Sequence, residues 1–177
     1  MGRIQLVYLS ESGFTERYAQ WLSEDLQTDC VRFVRSMSVE VGNPDDVLVI
    51  GAPVHGGELA SSKAIERLVA NAGDAKVVCF ATGVAEPAEG LAERISKASF
   101  RNPERVAMRY LPGGFDGDRL EQRSKTLLFA LRLMLKHRRA ITDEQKLLLV
   151  RTSIEGDYTD RELARELASE IRQMSSF

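Results

Sequence analysis

Five short runs of apolar, largely β-branched residues recur along the chain, separated by longer stretches whose apolar residues return at helical spacing. The runs cover residues 4–9, 30–34, 47–50, 77–81 and 106–110. Their hydrophobicity is continuous rather than alternating, so each strand is expected to be covered on both faces, as in a buried parallel sheet. Between them, Phe14, Tyr18, Trp21, Leu22 and Leu26 share one helical face. Ile65, Leu68, Val69 and Ala72 share a second, and Leu91, Ala92, Ile95 and Ala98 a third. Strand and helix alternate, which makes the class α/β with right-handed crossovers. Five strands with helices on both faces fit a doubly wound sheet in the order 2-1-3-4-5.

Two segments depart from that plan. Residues 34–47 hold few helix formers and contain Asn43-Pro44, a turn signal, so this crossover is expected to be irregular. Residues 113–158 follow the fifth strand, where a minimal sheet would pass directly to its last helix, and they read as a helical insertion. Helices are expected over 120–137 and over 142–150, the second opened by a capping box of Thr142 and Gln145. A further capping box, Thr159 with Glu162, is expected to open a closing helix on Leu163, Leu167, Ala168 and Ile171.

Composition bounds the partners. With 177 residues, 44% hydrophobic and 28% charged, the whole chain is expected to form one soluble domain with a sizeable core. Lys+Arg 24 against Asp+Glu 26 leaves a formal charge of −2, which argues against a nucleic-acid footprint. Cys30 and Cys79 show no metal-ligand spacing and are too few for a disulfide scaffold, so a reducing cytoplasm is the expected compartment. The start MGRIQLVYLS is too quickly polar for a signal peptide, and no apolar run reaches the ~18–20 residues that span a bilayer.

In an open parallel sheet, ligands bind at the carboxyl ends of the strands beside the switch point. The first strand runs straight into Ser10-Glu11-Ser12-Gly13-Phe14-Thr15 and then a helix. Hydroxyls and a glycine around a helix N-terminus attract an anion, because free N–H groups and the positive dipole end converge there. Donors to a charged phosphate contribute about 1.5–3 kcal/mol each, so several hold a phosphomonoester without a cation. A serine-rich N-cap is the plainer alternative. Neither GxxxxGK[ST] nor GxGxxG occurs, which leaves out the common nucleotide and dinucleotide loops.

SESGFT resembles the [ST]-x-[ST]-G-x-T phosphate loop of the flavodoxins. GAPVHGGEL after the third strand and FATGVAEP after the fourth stand where that family places its two flavin-contacting loops. The resemblance implies a flavodoxin-like fold holding FMN. Ser10, Glu11, Ser12, Gly13, Phe14 and Thr15 would form the phosphate loop. Pro53, Val54, His55 and Gly56 would flank the ring on one side, and Thr82, Gly83 and Val84 would approach from the other. Neither ring loop carries Trp or Tyr. His55 is then a stacking or hydrogen-bonding group and a weak candidate for catalysis as a proton relay, or else an exposed loop histidine. Residues 110–142 followed by DYTDRELARELASEI are similar to the flavodoxin-like, menaquinone-dependent protoporphyrinogen dehydrogenases, which carry a long helical insertion at this point.

On the first inserted helix, Leu120, Leu127, Leu128, Leu131, Met134 and Leu135 form one apolar face, while Phe129 and Leu133 fall on a flank that should be wet. Arg119, Arg123, Lys125, Arg132, Lys136, Arg138 and Arg139 surround them, against Asp116, Asp118 and Glu121. Three readings fit: peripheral contact of 120–139 with the inner face of an anionic membrane, a wall for a flat, acid-bearing substrate, or a homodimer contact or lid. The expected function is an FMN-dependent oxidoreductase of the protoporphyrinogen dehydrogenase type, passing electrons to a quinone. The alternatives are a flavodoxin-type electron carrier serving a redox partner, and a flavin-free interaction domain.

Overall fold

The computed structural model describes residues 2–34, 37–119, 122–137 and 141–175. Its main sheet is built from β1 (Ile4–Tyr8), β2 (Cys30–Arg32), β3 (Val47–His55), β5 (Lys76–Gly83) and β6 (Ala107–Pro112), all parallel, in the order β2-β1-β3-β5-β6. A two-residue strand, β4 (Glu58–Leu59), folds back antiparallel on the end of β3. With that hairpin set aside, the sheet is the expected doubly wound one, a flavodoxin-like fold. The order reverses between β1 and β3, so the crevice at their carboxyl ends is where such a sheet takes a ligand.

The continuous apolar runs sort by parity into two cores, as strand geometry requires. Leu6, Val47, Val49, Val78 and Phe80 face α1 (Phe14–Leu26) and α6 (Arg161–Met174), packing with Tyr18, Leu22, Leu167 and Ile171. Val7, Leu48, Ile50, Cys79 and Ala81 face the other way, toward Ile65 and Leu68 of α2 (Ser62–Asn71) and Ile95 of α3 (Leu91–Ser99). Gly51 sits opposite Phe80 in the β3–β5 register, and a Cβ at Gly51 would lie 2.1 Å from the Phe80 ring. The ring therefore occupies the volume that the missing side chain leaves in the middle of the sheet.

No helix occurs in the described part of the 34–47 crossover. It is held instead by Asp46, whose carboxylate accepts from the backbone N–H groups of Arg3 (2.8 Å), Gly42 (3.1 Å) and Asn43 (3.1 Å). Those donors bring the Asp46 pKa down from 3.8 to about 2. A depressed carboxyl stabilises the fold fully above its unfolded value and loses that contribution as pH falls through the native value. Asp46→Asn is expected to cost about 2 kcal/mol at neutral pH, the scale of hydrogen bonds to a charged group. The gap from wild type in urea unfolding should close as pH is lowered from 3.8 toward 2. A gap independent of pH would show that the charge is not what holds the crossover.

The excursion after β6 begins with β7 (Gly114–Phe115), which pairs antiparallel with β8 (Gly156–Asp157). Between them lie α4 (Gln122–Lys136) and α5 (Asp143–Arg151). The Thr142–Gln145 capping box forms in full at the start of α5. The box expected at Thr159 does not. The N-cap of α6 is Asp160, whose side chain accepts from Glu162 N at 2.8 Å. The Thr159 hydroxyl is diverted to Asp157 Oδ1 at 2.7 Å, which leaves the capping role to the next residue. Among the described residues no helix is long and apolar enough to cross a membrane.

Candidate functional site

The loop leaving β1 turns at Gly13, which takes φ +92° so that α1 can begin immediately. No side chain caps that helix. Its first-turn amides are thus left for a ligand or solvent, the arrangement that attracts an anion. The Ser10 hydroxyl accepts from Gly13 N at 3.1 Å, and Arg32 donates to the Ser10 carbonyl at 2.9 Å, so Ser10 braces the turn from behind. Thr15 is buried, its hydroxyl 2.6 Å from that of Thr82. This bond ties the loop after β1 to the end of β5. Below them, burial and a hydrogen bond to Glu16 push the Tyr8 phenol up to about 12.

A cleft of about 900 Å³ opens beside this turn. Glu11, Ser12 and Phe14 line its floor, Pro53, Val54, His55 and Gly56 one wall, and Thr82, Gly83 and Val84 another. The three sequence-expected segments therefore meet in one cavity. Ser10, Gly13 and Thr15 lie behind its surface. His55 Nε2 comes within 3.4 Å of Glu11 Oε1, which joins the first wall to the loop after β1. Phe14 packs where Gly114 leaves room, since a Cβ at Gly114 would lie 2.4 Å from the Phe14 ring.

The far side of the cleft comes from elsewhere. Ile95 and Arg94 of α3, Leu128, Leu131 and Met134 of α4, and Leu148 of α5 complete it. Leu135 of α4 is buried, whereas Phe129 and Leu133 are exposed, as their position on the wet flank implied. Leu120, Glu121, Arg138 and Arg139 fall outside the described residues, as do the side chains of Arg123, Leu127 and Lys136. Tyr110 and Phe115 also line the cleft and carry no signal in sequence beyond their place near the end of β6. Tyr110 donates to the Ala85 carbonyl at 2.8 Å, and burial raises its pKa well above the ordinary phenol value. Cys79 is fully buried in the sheet, and desolvation keeps its thiol protonated and unreactive. Among the described residues no group of His, Cys, Asp and Glu is placed to hold a metal ion.

Residues 5–142 match the model of the flavodoxin domain. The chain belongs to that family. A flavodoxin domain with this cleft points to a flavin cofactor. A search of curated proteins finds no match to the sequence. Among solved structures, a protein described as a flavoprotein from Bacteroides uniformis is 14% identical, with a TM-score of 0.44, covering 71% of this chain and 95% of its own. A flavodoxin from the domain Archaea is 15% identical, with a TM-score of 0.40, covering 97% of this chain and 99% of its own. Rubredoxin:oxygen oxidoreductase from Desulfovibrio gigas is 12% identical, with a TM-score of 0.40, covering 100% of this chain and 38% of its own.

The donor set of this flavodoxin domain fits FMN. Uncapped first-turn amides and the Ser12 hydroxyl suit a phosphomonoester. The apolar lining by Val54 and Val84, with open space beside Gly56, suits a planar ring.

Proposed function

We propose that the chain is an FMN-dependent oxidoreductase acting on a flat, largely apolar substrate of the protoporphyrinogen kind, with electrons passed on to a quinone. The supporting observation is the cleft itself. The loops proposed to hold phosphate and ring line one side, and the apolar side chains of Leu128, Leu131, Met134 and Leu148 line the other. A carrier that only exchanges electrons with protein partners needs no such wall. A volume of about 900 Å³ lies at the upper end of the range for small-molecule sites, room for a cofactor and a second ligand together.

Bound FMN would supply the electron-transfer chemistry. The chain's own residues supply the rest. Ser12 and the amides following Gly13 anchor the phosphate. Pro53, Val54, His55 and Gly56 face one side of the ring, and Thr82, Gly83 and Val84 the other. The α4 and α5 side chains keep water from the reacting faces. His55 Nε2, paired with Glu11 at 3.4 Å, is the wall atom able to exchange a proton with a group in the cleft. Arg94 adds a cation for a substrate carboxylate.

The visible spectrum of the purified protein tests this reading, recorded before and after FMN is added and the sample desalted. Retained oxidised-flavin bands are the expected result, followed by bleaching with protoporphyrinogen and recovery with a quinone. A colourless protein that holds no FMN would refute the redox function and leave an interaction domain. A flavin that stays oxidised with protoporphyrinogen would refute the substrate.

A further inference from the structure

The loop that ends β5 presents three successive carbonyls, and each is taken by a different donor. Gly83 O accepts from Gly113 N at 2.8 Å, Val84 O from Arg151 Nη1 at 3.2 Å, and Ala85 O from the Tyr110 hydroxyl at 2.8 Å. Tyr110 lies in β6 and Gly113 directly follows it, so both belong to the end of that strand. Arg151 does not. It is the last residue of the inserted helix α5.

Its placement is over-determined. The second guanidinium nitrogen meets the Glu86 carboxylate at 3.0 Å, so one fork spans the backbone of residue 84 and the side chain of residue 86. The guanidinium carbon stands 4.4 Å from the centre of the Tyr158 ring. Tyr158 is itself fixed, because its N–H donates to Gly113 O at 2.7 Å and its hydroxyl fills the space where a Gly156 Cβ would lie 2.7 Å away. The Arg151 side chain is 15% exposed and its bond to the Val84 carbonyl is partly buried, whereas Glu86 is 61% exposed and its ion pair faces solvent competition. Tyr158 opens the Tyr158-Thr159-Asp160 stretch that stands out in the sequence. Its role here is to seat Arg151, with Asp160 capping the following helix.

We propose that Arg151 is the positioning residue for the ring-facing loop Thr82–Glu86, so that flavin-ring affinity depends on a side chain supplied by the insertion. This rests on the flavin reading above. With the carbonyls of residues 83–85 each held by a hydrogen bond, Thr82, Gly83 and Val84 are kept at the cleft surface without reorganising when a ring enters. A preorganised loop avoids an ordering cost on binding. Arg151 touches no ligand; it acts through the Val84 carbonyl.

The test uses Arg151→Gln, Arg151→Lys and, as an independent break of the adjacent tether, Tyr110→Phe. Amide exchange of residues 82–86 in the flavin-free protein is the first readout. Faster exchange in Arg151→Gln, confined to this loop with α1 and the sheet unchanged, is expected, with partial recovery in Arg151→Lys, which keeps the charge and loses the fork. The second readout is affinity for FMN and for riboflavin. Both should weaken together by about tenfold, equivalent to ~1.4 kcal/mol, because the ring contact and not the phosphate contact is affected. Tyr110→Phe should act in the same direction. Unchanged loop exchange in Arg151→Gln would overturn the proposal even if the protein bound no flavin. Altered exchange with unchanged affinity for both flavins would overturn it too. Weakening of FMN alone would relocate the effect to the phosphate loop and refute the assignment. A wild-type protein that binds neither flavin refutes the FMN reading, and that outcome is separate from the exchange result.

Discussion

Ser12→Asp is expected to abolish FMN retention while leaving riboflavin binding nearly intact. Ser12 lines the floor of the cleft beside the uncapped start of α1, where the phosphate is proposed to sit. A phosphomonoester carries most of two negative charges near neutral pH. A carboxylate about 4 Å from a single such charge repels it by ~4 kcal/mol at the effective dielectric of a protein surface. FMN affinity should therefore fall by a factor of a hundred to about a thousand. Riboflavin has the same ring and no phosphate, so it reports whether the cleft survives the substitution. Titration of flavin fluorescence with both ligands separates the outcomes. Equal loss for both would mean that the loop had collapsed, and no loss for either would remove the phosphate from this turn.

Gly51→Ala is expected to cost about 3 kcal/mol of stability, the upper range for overpacking a core. The added Cβ would fall 2.1 Å from the Phe80 ring, which is fully buried between β3 and helices α1 and α6. The ring has no solvent side to move toward. Urea unfolding of Gly51→Ala, Phe80→Leu and the double variant forms a cycle that isolates the clash. The double variant should be more stable than the sum of the two losses predicts. Additive losses, or a loss in Gly51→Ala well below 1 kcal/mol, would show that the sheet relaxes around the methyl and that the close fit is not what requires glycine here.

The centre of the sheet was legible because β1, β3 and β5 are largely buried and so leave unbroken apolar runs. The edge strand β2 departs from the expected cover on both faces: with a neighbour on one side only, its Val31 is 48% exposed. The limits of the strands were less legible. β3 runs on from Ile50 through Gly51, Ala52 and Pro53 to His55, residues that carry little strand signal and are held extended by pairing with β5 and β4. The start of α6 was displaced by one residue, since a threonine and an aspartate compete for the cap and the neighbouring Asp157 decides between them. In the cleft, loops that follow strands could be read from position in the sheet and from residue type. Tyr110, Phe115, Leu148 and Arg151 could not. Each reaches the cleft or its loop through contacts between distant parts of the chain, as Arg151 does with Val84 across 67 positions. The exposure of Phe129 and Leu133 was readable from helical spacing, but that of Met134 was not: the same spacing puts it on the packing face, and it lines the cleft while staying 51% exposed.

The ribbon of β7 and β8 sets Gly114 beside Asp157, so the polypeptide departs from the sheet and returns to it through a single doorway. A detour whose two ends are paired neighbours, about 5 Å apart, is a detachable cartridge. Cutting it out and closing the gap with a tight turn would cost little chain entropy and would leave the path from β6 into α6 unaltered. A sheet scaffold of this kind can thus trade one roof over its cleft for another without relearning how to fold. The exchange has one condition. Any replacement cartridge must bring its own donor to the Val84 carbonyl, or the loop that greets the ring is left slack.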